Sequence, residues 1–210
     1  MKRGNGLNKR FFDIPKVKQI NLFNAGCKIF AENTYRNASM SKVAFEAGIS
    51  KSLIFYYFQN KQEYYFFILN EIVNQLNSQL SVVISKRLEY DLFEKVIEII
   101  ELKKNYFTNY NLHFKLIERI YYETDDNLIE GLQQLKIRLS QPYKELIVSM
   151  DKTGFTSKDD AINCIKILLY CAEGMVYHYD LDDLRNWDVL VDEYKYIIKS
   201  MRNNYYKELE

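Results

Sequence analysis

Residues Ser39 to Lys61 read SMSKVAFEAGISKSLIFYYFQNK, and their spacing decides the fold. Met40, Val43, Ala44 and Ala47 recur at the three-and-four interval that aligns one face of a helix. Ser39 precedes them as an N-cap, because its hydroxyl can accept one of the unpaired N–H groups of the first turn. Gly48 follows where a helix ends in the left-handed region, Ile49 plugs the corner, and Ser50 caps a second helix from Lys51 to Phe58. Two short helices about a tight turn, feeding a third, make a helix-turn-helix outline.

The second helix indicates which face is used. At about 100° per residue, Ile54 and Phe58 fall on one side and belong inside. Ser52, Leu53, Tyr56 and Tyr57 sweep round the other. A major groove admits one helix, and Lys51, Ser52, Tyr56 and Tyr57 bring suitable donors to it. Charge supports the same reading. Residues 1–60 hold ten basic side chains against Asp13, Glu32 and Glu46, a balance of +7, so the +1 of the whole chain leaves −6 for residues 61–210. A basic module joined to an acidic one suits attraction to phosphate at one end.

The segment from Phe30 to Lys61 resembles the N-terminal DNA-binding domain of the TetR family of bacterial repressors. It supplies Phe30, Ala31, Glu32, Tyr35, Ser39, Ala44, then Ala47-Gly48-Ile49-Ser50-Lys51, Phe55-Tyr56-Tyr57-Phe58 and Lys61. It departs at Thr34, where the family usually has Gly, and at Ser52, Leu53 and Phe55. Leu53 suits a thymine methyl, while Phe55 lacks the hydroxyl of the Tyr often found there. The candidate DNA-contacting set is therefore Ser39, Ser41, Lys42, Lys51, Ser52, Leu53, Phe55, Tyr56, Tyr57 and Lys61.

The rest of the chain reads as all-α, with about nine helices. It holds 7 Gly and 2 Pro in 210 residues, and no alternating run bounded by turn signals suggests a strand. The expected organisation is a flexible basic arm over 1–12, a three-helix helix-turn-helix domain over 13–60, and a C-terminal helical bundle for ligand binding and dimerisation over 61–210. A helix from about Lys61 to Arg87 would span roughly 40 Å. Further helices are expected at about 91–109, 112–123, 126–151 (kinked or divided by Pro142), 161–177 and 187–207.

Between Ala161 and Tyr177 only Lys166 and Glu173 are charged, which marks a helix covered on more than one side. With the last helix it forms a candidate homodimer interface through Ile165, Leu169, Ala172, Val176, Leu190, Tyr194, Ile197 and Met201. The resemblance implies the same pairing. It also implies a pocket for a small apolar or aromatic ligand, for which Phe107, Phe114, Tyr121, Tyr122, Tyr170 and Met175 are the candidates. The ligand would tilt the long helix and shift two reading heads set about 34–36 Å apart.

Chemistry points away from an enzyme. His113 and His178 are far apart, no phosphate loop or nucleophile elbow occurs, and Asp180, Asp182 and Asp183 lack the other ligands of a calcium loop. Neither a metal nor a cofactor is expected. Cys27, Cys164 and Cys171 suit buried thiols. The longest apolar run, Ile167 to Ala172, falls far short of a membrane span of about 20 residues, so a cytoplasmic protein is expected. The sequence thus predicts a ligand-responsive repressor bound to a double-stranded operator. The alternative is a DNA-bound interaction protein whose helical body docks a protein partner without an effector.

Overall fold

The structure, a computed structural model, describes residues 10–86, 91–176 and 178–206. They form ten α-helices: α1 (Arg10–Asp13), α2 (Lys16–Glu32), α3 (Met40–Glu46), α4 (Lys51–Tyr57), α5 (Lys61–Lys86), α6 (Leu92–Asn109), α7 (Asn111–Tyr122), α8 (Ile129–Ser149), α9 (Lys158–Val176) and α10 (Arg185–Tyr205). Among the described residues there is no strand, only an isolated bridge between Phe155 and Tyr206. The all-α architecture, with a helix-turn-helix near the N-terminus and a helical bundle after it, is as expected.

The tenth helix is α1, which replaces part of the predicted basic arm. Residues 1–9 of that arm lie outside the described residues, but Phe11 is only 1% exposed. Its ring lies 5.2 Å from Phe58 and 5.1 Å from Phe67, centroid to centroid. A large apolar ring gains more from that pocket than from solvent, and this pins the segment. The buried amide of Gln19 then donates to the carbonyls of Phe12 (3.1 Å) and Ile14 (2.8 Å), fixing the α1–α2 junction.

The chain divides into two compact units, residues 1–75 with 112–139, and 76–111 with 140–210. In the first, Leu22, Phe30, Val43, Ile54, Phe58, Tyr64, Tyr65, Ile68 and Leu69 form the core. This unit reaches past residue 60 because the start of α5 packs directly on α2. Gly26 has no side chain where Ile68 and Tyr64 approach it, and the Tyr64 hydroxyl donates to the Leu22 carbonyl. Arg119 of α7 adds a 3.2 Å hydrogen bond to the carbonyl of Ala31.

In the second unit α10 packs against both α6 and α9. A reciprocal capping box between Asp91 and Glu94 starts α6. The buried Tyr194 hydroxyl donates to the Leu168 carbonyl at 2.8 Å, and Trp187 lies 5.8 Å from Phe107. Three of the predicted dimer-interface residues, Ile165, Leu190 and Tyr194, are therefore core residues of a single chain. A helix covered on two sides carries apolar residues all round, so its pattern leaves the assignment of each face open. Leu169, Ala172, Val176, Ile197 and Met201 are half-buried.

Pro142 does not divide α8, which runs unbroken from Ile129 to Ser149. Proline removes one N–H donor from the helix ladder, and Pro142 itself is buried.

Candidate nucleic-acid interface

The helix-turn-helix is built as its sequence dictates. Ser39 Oγ accepts from the Lys42 amide at 3.4 Å, and Ser50 Oγ accepts from the Leu53 amide at 3.2 Å. Between the two caps Gly48 has φ +66°, the left-handed region that a Cβ disfavours. Met40, Val43 and Ala44 face inward from α3, and Ile54 from α4. Lys28 of α2 pairs with Glu46 of α3 at 2.8 Å across the surface.

With those faces buried, the opposite ones are exposed together. Ser41 and Lys42 on α3, and Lys51, Ser52, Phe55 and Tyr56 on α4, lie open, with Ser39 and Leu53 half-buried at the margin. Tyr56 is 46% exposed. Ser52 Oγ is 3.0 Å from Ser50 Oγ, which holds both hydroxyls at the start of α4. The combination of ammonium, hydroxyl and aromatic groups can donate to phosphates and base edges and meet apolar thymine methyls.

Two predicted members serve elsewhere. Tyr57 is not outward: it is 7% exposed, and its ring lies 5.9 Å from that of Phe11. Nothing in the spacing of α4 signals that Phe11 comes back to cover this side of it. Lys61 turns to the loop before α3, donating to the Arg36 carbonyl at 3.1 Å, and lies 4.8 Å from the Tyr35 ring. Partial burial lowers its pKa.

Phe45 escaped the sequence reading, which placed Arg10 only within a basic arm over 1–12. Phe45 is 88% exposed on α3, one turn beyond Ser41 and Lys42, and that three-and-four spacing was the available signal. Arg10 reaches the Tyr56 hydroxyl as a hydrogen-bond donor, an approach across 46 residues that only the burial of Phe11 makes possible.

The six predicted pocket residues are divided between the two units. Phe114, Tyr121 and Tyr122 belong to the first unit and Phe107, Tyr170 and Met175 to the second. Tyr121, Tyr122 and Tyr170 are exposed, because the buried stripe of α7 runs through His113, Leu116 and Ile120, and that of α9 through Ala161, Cys164, Ile165 and Leu168. The second unit instead holds a cleft of about 430 Å³ between α5 and α6. It is lined by Val83, Leu102, Tyr106 and Tyr110, with Gln79, Glu98, Glu101, Asn105 and Asn109 as the polar part.

Burial pushes the Cys27 thiol up to about 12 and the Cys164 thiol to about 11, so both stay protonated. Among the described residues no group of His, Cys, Asp and Glu is placed to hold a metal ion. Asp183 of the acidic cluster pairs with Arg185 at 2.6 Å, which holds its carboxyl down at about 2. No helix of the described residues is long and apolar enough to cross a membrane.

Capped short helices at a glycine corner, mounted on a helical body, define a helix-turn-helix protein. Residues 22–65 match the family model described as bacterial regulatory proteins, tetR family. A fatty acid metabolism regulator protein from Bacillus subtilis (strain 168) is 27% identical over 133 residues, covering 63% of this chain and 61% of that protein. The chain thus spans about three fifths of the curated relative it matches. Among solved structures, a transcriptional regulator of the TerR/AcrR family from Aquifex aeolicus VF5 superposes with TM-score 0.67 at 13% identity, covering 88% of this chain and 99% of that one. The fatty acid degradation regulator FadR from Bacillus halodurans gives TM-score 0.60 at 18% identity, covering 88% and 95%. Residues 22–65 therefore resemble the N-terminal domain of the tetR family, and the fold as a whole is that of the solved regulators on which the chain superposes.

Proposed function

We propose that this protein is a ligand-responsive, dimeric transcriptional repressor that holds a double-stranded operator through the exposed faces of α3 and α4 and releases it when a small molecule binds. The observation that carries the reading is the shared exposure of Lys42, Lys51, Ser52, Phe55 and Tyr56 on a scaffold whose other side is fully packed. Aromatic rings left open in that way, among lysines and hydroxyls, suit a groove lined by phosphates.

Pairing would use what α9 and α10 leave uncovered. Ile167, Tyr170, Val189 and Tyr196 are exposed, and Leu169, Ala172, Val176, Ile197 and Met201 are half-buried. These would meet their counterparts in a second copy of the chain, while Ile165, Leu190 and Tyr194 hold each subunit together. The cleft between α5 and α6 is the favoured effector site, and the names of the relatives point to a fatty-acid-derived ligand. Binding there would act on α5, whose N-terminal half packs against the helix-turn-helix.

Gel-shift titrations with DNA from upstream of the protein's own gene test the proposal. A salt-sensitive shift that a fatty acid abolishes is expected. Binding that ignores salt, or a shift that no such ligand affects, would contradict the corresponding half of the reading.

A further inference from the structure

Arg10 sits where no helix-turn-helix residue does, yet it belongs to the same surface. Its neighbour Phe11 is sunk into the aromatic cluster of Tyr57, Phe58 and Phe67, with centroid distances of 5.9, 5.2 and 5.1 Å. On the far side the Gln19 amide clasps the carbonyls of Phe12 and Ile14. The backbone bearing Arg10 is thus tied down within one residue of the side chain that matters. The guanidinium donates to the Tyr56 hydroxyl and lies 5.2 Å from the centre of that ring. Both side chains are exposed.

We propose that Arg10 binds DNA phosphate from beside Tyr56, so that the nucleic-acid face extends from α3 and α4 onto α1. The inference rests on the function proposed above. Tyr56 is exposed beside Arg10, a phenol can donate as well as accept, and phosphate oxygens are the acceptors that DNA brings to this face. The guanidinium itself is a planar fork of five donors matched to phosphate geometry. Because Phe11 and Gln19 have already ordered the segment, binding there sacrifices less conformational freedom than it would in a free basic tail. Arg10 and Tyr56 then form one unit, in which each orients the other toward the same strand.

Fluorescence anisotropy over a salt series, using a DNA fragment that the wild-type protein binds, tests this with Arg10→Ala, Arg10→Lys and Tyr56→Phe. Arg10→Ala is expected to weaken binding about tenfold on any sequence and to flatten the plot of log affinity against log salt by about one unit for each phosphate no longer neutralised. Arg10→Lys is expected to restore the slope while recovering only part of the affinity. Tyr56→Phe is expected to weaken binding and to make the effect of Arg10→Ala smaller. All three should melt as the wild type does, since both side chains are exposed. An Arg10→Ala protein with wild-type affinity and slope overturns the proposal, as does one whose affinity falls with the slope unchanged. A wild-type protein with no salt-dependent DNA binding would overturn the proposed function as well.

Discussion

The hydroxyl of Tyr64 donates a 2.5 Å hydrogen bond to the carbonyl of Leu22, joining α5 to α2 across 42 residues. The bond forms one turn from Gly26, where a methyl group would overlap both the Tyr64 hydroxyl and Ile68 Cδ1. This junction couples the support of the helix-turn-helix to the long helix. Gly26→Ala is expected to cost about 1–3 kcal/mol through overpacking, and Tyr64→Phe about 1 kcal/mol through the missing hydrogen bond. Urea unfolding would measure both, with Gly26→Ala the more damaging.

Adjacent tyrosines on α4 should behave oppositely. Tyr56→Ala removes an exposed side chain and should weaken DNA binding at unchanged melting temperature. Tyr57→Ala empties a site in the aromatic cluster and should destabilise the protein by about 3 kcal/mol or more. Thermal melts set beside DNA titrations separate the two, and equal melting temperatures would contradict the burial of Tyr57.

His113 gives the first unit a dependence on pH. Buried against Phe23 at a ring distance of 5.7 Å, it has its pKa lowered from 6.5 to about 4 by desolvation. Above pH 6.5 native and unfolded chains both carry a neutral imidazole. Below it the unfolded chain takes up a proton that the native state refuses, so stability falls with pH until about pH 4. The full decrease is about 3 kcal/mol. His113→Phe should flatten that part of the stability profile, and an unchanged profile would contradict the neutral buried imidazole.

Charges placed on α9 and α10 should distinguish pairing from folding. Ile167→Glu, at an exposed position, is expected to give a helical monomer by sedimentation and circular dichroism. Leu190→Glu, in the core of one chain, is expected to abolish folding. A dimer that survives Ile167→Glu would place the interface elsewhere.

The helix-turn-helix was legible because its determinants are local: Ser39 and Ser50 cap, Gly48 turns, and the apolar spacing of Met40, Val43 and Ala44 points inward. The start of α6 was also legible, expected at about 91 and found at Leu92. What escaped depends on packing between segments distant in sequence. Tyr57 and Arg10 take their places only because Phe11 returns to α4 from more than forty residues away. Similarly, Ile165, Leu190 and Tyr194 carry the same apolar signal whether a helix meets its own bundle or another chain. The cleft between α5 and α6 depends on how two separate helices are set beside one another, which composition does not encode.

Photo-cross-linking from α4 itself reports whether this helix faces the groove, with no intermediate step. A benzoylphenylalanine in place of Phe55 is expected to cross-link to operator DNA on irradiation, while the same group in place of Tyr196 is expected to give none. Cross-linking at Tyr196 but not at Phe55 would contradict a DNA-facing α4.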